Sequence, residues 1–139
     1  MDVLIDTNVV LDYMAKRQPH FEQSKTVIDL CVEGEINGCI AAHSITNLFF
    51  ILRNDMSVSE RKIRLLKLCD MFTVVSLDSS KIVSALTNNS FDDFEDCLQD
   101  ECAIEFEAKY VITRNTNDFK NSKIKAIEPS EFLKMLKTF

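Results

Sequence analysis

Three short stretches of this chain carry side chains able to do chemistry together. The segment Met1-Asp2-Val3-Leu4-Ile5-Asp6-Thr7-Asn8 ends an apolar run in a carboxylate, Asp92-Asp93-Phe94-Glu95-Asp96 is an acidic group, and Thr113-Arg114-Asn115-Thr116-Asn117-Asp118-Phe119 holds Asn115 and Asp118. An apolar run that stops in an acid reads as a buried first strand delivering Asp6 to its carboxyl end, the edge of a parallel sheet where ligands gather. Asp93 and Asp96 are three residues apart and so neighbours on one helix face. The same topology brings Asn115 and Asp118, after a late strand, and Asn47, early in the helix after Cys39–Ala41, to that edge. Unpaired carboxylates sharing a cleft repel one another, and burial raises the cost. A bound Mg²⁺ or Mn²⁺ removes that penalty by taking oxygen ligands. Such an ion lowers the pKa of water and neutralises charge on a phosphodiester, so the arrangement suits phosphoryl chemistry.

Each of these residues also has a structural reading. Asp92 and Glu95 have the D-x-x-E spacing of a capping box, and acids in a first helical turn complement the helix dipole. Asp6-Thr7-Asn8 is also readable as a helix N-cap, and Asn115 and Asp118 as turn residues. Asp12 reads as a solvated or supporting acid, and Arg114 either steadies a phosphate oxygen or is a surface arginine. The two histidines, His20 and His43, are isolated and read as surface or packing residues. No single acid is persuasive; their common edge is.

The elements that must position these groups follow from periodicity. Val3–Ile5, Cys39–Ala41, Thr73–Leu77 and Tyr110–Thr113 read as buried strands, with Lys125–Ile127 a weaker fifth. Ile45, Leu48, Phe49 and Leu52 follow the spacing of a helix face. Phe50 and Ile51 extend that helix's apolar surface, predicting burial on more than one side. Ser57–Asp70 and Ser130–Leu136 read as further helices, with Pro19 and Pro129 near helix starts, where proline is tolerated. Strands alternating with helices predict right-handed βαβ units, hence a three-layer α/β/α domain with a mostly parallel sheet of four or five strands.

Bulk properties narrow the function classes. A chain of 139 residues, 46% apolar, suits one globular domain spanning 1–139. The formal charge of −6, spread without a tail, argues against strong nonspecific attraction to nucleic acid, unless metal ions supply the positive charge. Five cysteines with no CxxC pair read as reduced core thiols of a cytoplasmic protein. No apolar run approaches the ~20 residues of a membrane helix, and the N-terminus is not a signal peptide. With only Gly34 and Gly38 present, neither a P-loop nor a dinucleotide fingerprint can be written. Catalysis therefore falls to carboxylates.

The chain resembles the PIN domains, the nuclease family that includes VapC-type toxins of bacterial toxin–antitoxin pairs. The resemblance spans nearly the whole length and rests on Val3-Leu4-Ile5-Asp6-Thr7-Asn8, Asp93-Phe94-Glu95-Asp96-Cys97-Leu98-Gln99, and Val111-Ile112-Thr113-Arg114-Asn115 followed by Asp118-Phe119. It implies cleavage of single-stranded RNA with Mg²⁺ or Mn²⁺ held by three or four acids. By position, Asp6 matches the family's first acid and Asp96 its later helix acid. It further implies Asp6, Asp96 and Asp118 as metal ligands, Asp93 as a further or supporting one, and Asn47 and Asn115 completing the shell. Two positions depart from the family: Asn47 stands where a glutamate is usual, and Asn115 where an acid commonly follows the Thr-x pair. Those changes leave open a degenerate module that binds RNA or a protein without cutting. A toxin reading implies a small antitoxin and often a homodimer. A phosphoacceptor receiver domain fits poorly, because Asp2 lies at the wrong end of the first strand.

Overall fold

Val3, Leu4 and Ile5 are all fully buried. A strand with no exposed face belongs in the interior of a sheet covered on both sides. The computed structural model, which describes residues 1–138, places it there. Strands β1 (Asp2–Ile5), β2 (Asn37–Ala41), β3 (Thr73–Val75), β4 (Tyr110–Ile112) and β5 (Lys125–Ile127) form one sheet in the order β3-β2-β1-β4-β5. Every pairing is parallel. The helices are α1 (Thr7–Met14), α2 (Phe21–Val32), α3 (Ala42–Ile51), α4 (Val58–Met71), α5 (Ser79–Thr87), α6 (Phe94–Glu105) and α7 (Pro129–Leu136).

The pleat sorts the core into two layers. Val3, Ile5, Ile40 and Ile112 face one cluster, completed by Val10, Val27, Leu68 and Phe132 from the helices. Leu4, Cys39, Ala41 and Val111 face the other, against Cys102 and Ala103 of α6 and Phe119. Burying each large aliphatic chain contributes roughly 1.5–3 kcal/mol, and a one-residue slip of β1 would exchange its two faces. On the α6 side, the buried Lys81 ammonium bridges Asp78 at 3.3 Å and Glu105 at 2.8 Å, joining α5 to α6.

Two chain reversals matter for the site. β1 passes into α1 through the single residue Asp6, and β2 runs straight into α3. Asp6 and Ala41 keep extended backbones, with ψ of 152° and 145°, and the helix starts at the next residue. The first turns of α1 and α3 therefore stand directly on the carboxyl ends of β1 and β2, two of the three inner strands.

Several boundaries differ from those expected of the sequence. β3 stops at Val75, because Asp78 caps α5 by accepting from Lys81 N at 3.0 Å. β4 stops at Ile112, although Thr113 N still donates to Ile127 O at 3.0 Å. Helix α3 is not buried on several sides: Phe50 is 62% exposed and lies under the Arg53 guanidinium, 3.9 Å from its ring centre. Four of the five cysteines are buried, Cys69 is exposed, and all are free.

Gly38 shows how tightly α2 seals the sheet. A Cβ there would stand 2.8 Å from Cys31 Sγ and 2.9 Å from two atoms of the Phe72 ring, itself buried. Gly38→Ala is therefore expected to cost about 1–3 kcal/mol of stability, the usual range for overpacking, read as a lower urea midpoint at unchanged slope.

Candidate active site

Asp6 is held by partners from the first turn of α1 and from the residue that follows β4. Its Oδ1 accepts from Thr7 N at 2.7 Å, and its Oδ2 accepts from Thr113 Oγ1 at 2.7 Å and from Asn8 Nδ2 at 3.1 Å. The helix-cap reading is thus correct as geometry, and it leaves lone pairs on a carboxylate only 6% exposed. Burial pushes the Asp6 carboxyl above its ordinary value. The bonds from Thr113 and Thr7 and the Arg114 charge pull it back, while Asp118 adds to the rise.

Behind the acid, a hydroxyl and amide lattice joins three helices. Gln99 Nε2 donates to Thr7 Oγ1 at 2.9 Å and to Ser44 Oγ at 3.0 Å, and the two hydroxyls lie 2.7 Å apart. This fixes the first turns of α1 and α3 against α6 around one cleft. The cleft, about 210 Å³, is lined by Asp6, Asn8, His43, Asn47, Glu95, Asp96, Gln99 and Asn115 among others. Four residues expected from the sequence therefore meet: Asp6, Asp96, Asn47 and Asn115.

Asp93 and Asp118 lie elsewhere. They border an adjoining hollow of about 60 Å³ that also touches Asp96. Asp93, not Asp92, is the N-cap of α6: its Oδ1 accepts from Asp96 N at 2.9 Å. The expected D-x-x-E cap is shifted by one residue, which leaves Glu95 free of that duty. Asp118 is exposed, in a 3-10 turn at Thr116–Phe119.

The charges crowd Asp96. Burial, then repulsion from Asp93, Asp6, Asp118 and Glu95, pushes its carboxyl up to about 7. Near neutral pH this carboxyl gives up its proton reluctantly unless a cation relieves it. Arg114 does not provide that relief freely. Its Nε donates to Asp12 Oδ2 at 2.5 Å and its Nη2 to Asp12 Oδ1 at 3.4 Å, and Asp12 is fully buried. Asp12 is the anchor of Arg114 rather than a solvated acid.

The sequence reading missed three residues here. His43 lines the cleft with both ring nitrogens unpartnered, and burial holds its imidazole below the usual range while Glu95 pulls the other way. Gln99 is 2% exposed, with Oε1 lacking any donor. Glu95 meets Asn47, whose Nδ2 donates to its Oε2 at 3.4 Å. The signal was helical spacing: Glu95 and Gln99 are four apart on α6, as are His43 and Asn47 on α3.

The donors fit a hard divalent ion, within a limit. Carboxylate and amide oxygens are what Mg²⁺ and Mn²⁺ take, and the orphaned Gln99 Oε1 lacks a donor that a hydrated ion would carry. Among the described residues, however, no three His, Cys, Asp or Glu side chains are gathered closely enough to hold an ion. Mg²⁺ commonly uses only one or two carboxylates, keeping waters and taking substrate phosphates. The cleft suits that open mode and not a closed protein cage.

The profile of the PIN domain family matches residues 2–117. Among curated proteins no relative matches. Solved structures share the fold at low identity. A chain of VapBC2 from Rickettsia felis, bound to a DNA fragment from its promoter, is 13% identical with a TM-score of 0.67, over 92% of this chain and 98% of that one. A toxin–antitoxin complex from Klebsiella pneumoniae gives 17% and 0.66, over 91% and 97%. FitAcB from Neisseria gonorrhoeae gives 16% and 0.63, over 92% and 98%.

Two outcomes test this geometry. Because the folded pKa of Asp96 is raised from 3.8 to about 7, its ionisation costs stability as pH rises through that interval, and nothing is lost below it. The melting temperature of metal-free Asp96→Asn, relative to the parent protein, is therefore expected to climb between about pH 4 and 7 and level off above. Arg114→Ala leaves the buried Asp12 carboxylate unpaired and is expected to cost about 3 kcal/mol in chemical denaturation, as breaking one side of a buried pair does. A purely substrate-binding arginine would leave stability unchanged.

Proposed function

The chain belongs to the PIN domain family, and from that premise we propose that residues 1–139 form a single PIN domain acting as a metal-dependent ribonuclease that hydrolyses phosphodiesters of single-stranded RNA. The observation that carries the reading is the meeting of Asp6, Asp96, Asn47 and Asn115 in one cleft at the sheet's carboxyl edge. When bound, a Mg²⁺ or Mn²⁺ ion lowers the pKa of water and neutralises charge on the phosphodiester.

The chain's own residues do the rest. Asp6, fixed by the Thr113 and Thr7 bonds, is the preorganised acid and the first to hold the ion. Asp96 faces it from α6, with Asn47 and Asn115 offering neutral oxygens. Asp118 and Asp93, in the adjoining hollow, contribute charge and further oxygens along the path of the strand. The starts of α1, α3 and α6 direct positive dipole ends at the same edge, which favours a phosphate there. Arg114, positioned by Asp12, keeps Nη1 out of that pair and available to a phosphate oxygen.

In a cleft with few acids, an ion held by Asp6 and Asp96 would gain from the charge of a substrate phosphate, so metal and RNA are expected to bind cooperatively. In a cell, the protein acts in the cytoplasm as the toxin of a toxin–antitoxin pair, with a small antitoxin partner and a second copy of itself. The family, and the toxin–antitoxin complex from Klebsiella pneumoniae that shares this fold, support that reading. No described helix is long and apolar enough to cross a membrane.

One observation favours a second reading, a non-cleaving PIN module that binds RNA or a protein: asparagine at positions 47 and 115, with no three-acid cluster among the described residues. Cleavage separates the two. Asp6→Ala and Asp96→Ala are each expected to lower Mn²⁺-dependent cleavage of a labelled single-stranded RNA by about 10²- to 10³-fold, the cost of removing one preorganised electrostatic group. Full activity in both variants rejects the nuclease assignment, and an inactive parent protein that still binds the RNA favours the second reading.

A further inference from the structure

The acid absent from position 47 has a counterpart across the cleft. We propose that Glu95 supplies from α6 the carboxylate that α3 lacks at Asn47, making it a metal-holding residue of this site. The inference rests on the nuclease reading above and deepens it.

Geometry carries the proposal. Glu95 belongs to the first turn of α6 yet takes no part in the cap, which Asp93 makes. Its Oε2 instead reaches across to α3 and accepts from Asn47 Nδ2 at 3.4 Å. The carboxylate therefore sits beside the end of the Asn47 side chain, on the flank of the cleft where α3 carries no acid. The amide–carboxylate bond holds it there without consuming its remaining lone pairs. Asp96, the next residue of α6, also lines the cavity, as does Asp6.

A separate observation indicates that the cavity expects a ligand. Gln99, four residues after Glu95, is 2% exposed and borders the cleft with Oε1 lacking a donor. Buried acceptors are rarely left so. A hydrated cation held in this cleft by one or two of its carboxylates would bring O–H donors to that oxygen and countercharge to the rest. Oxygen donors of this kind select Mg²⁺ or Mn²⁺ over softer ions.

The test is Mn²⁺ binding to the full chain without RNA, followed by the electron paramagnetic resonance of free Mn²⁺, with circular dichroism confirming the fold. Glu95→Gln keeps the shape and the bond partner, and is expected to weaken Mn²⁺ affinity by about tenfold or more, a typical cost of disturbing a metal site. Adding Asn47→Glu to that variant returns the acid to α3 and is expected to restore affinity. Parent-like affinity in Glu95→Gln, with Asp6→Asn having lost binding, overturns the role of Glu95 and leaves the nuclease reading standing. Parent-like affinity in Asp6→Asn as well places the ion outside the cleft, and both readings fall. A double variant no tighter than Glu95→Gln overturns the exchange of positions.

Discussion

The bond from the Thr113 hydroxyl to Asp6 Oδ2, at 2.7 Å, is the constraint on which the rest of the structure turns. A carboxylate buried to this degree needs donors, because a stranded charge costs several kcal/mol. Those donors come from the residue that follows β4 and from the first N–H of α1, so the acid can be satisfied only when β1 and β4 are adjacent and in register. Asp6 N donating to Ile112 O at 3.0 Å fixes the same junction through the backbone. Fold and site are in this sense one condition: the pairing that completes the sheet's centre also aims the acid.

Around it, negative charge is distributed rather than concentrated. Like charges a few ångströms apart repel by about 4 kcal/mol at an effective dielectric near 20, and Asp96 already carries repulsion from four carboxylates. Asparagine at 47 and 115 keeps oxygen in place while removing charge from the two flanks of Asp6. The stability of the empty protein gains from that exchange, and the affinity for a cation loses. A cation placed here would find fewer charges to hold it than in a site richer in acids.

Much of this was legible in the sequence. The Val3–Ile5 run, the acid that ends it, the late strand at Tyr110 and the helix after Cys39–Ala41 all carry local signals, because burial imposes apolar identity and strand ends impose polarity. Asp6, Asp96, Asn47 and Asn115 could be brought to one edge by topology alone. What the sequence withheld depends on rotation about helix axes and on side-chain reach. Whether Asp92 or Asp93 caps α6 differs by one residue, yet it decides whether Glu95 faces its own helix or the cleft. Arg114 and Asp12 are 102 residues apart, so no local pattern announces their pairing. His43 looked isolated because, Asn47 of its own helix apart, the residues it meets in the cleft come from distant parts of the chain. Phe50 looked like core, but its helix turns that face outward, where Arg53 covers the ring.

The sheet's flanks carry a consequence for assembly. β3 and β5, the outermost strands, are three residues each, and β5 opens with an exposed lysine. So short a rim presents few unpaired backbone groups, and a charged residue on it discourages strand addition. A visiting chain finds little here to zip onto as an extra strand. Recognition between this chain and a protein companion is thereby turned away from strand addition and toward side chains, where specificity is written by sequence and not by backbone hydrogen bonding.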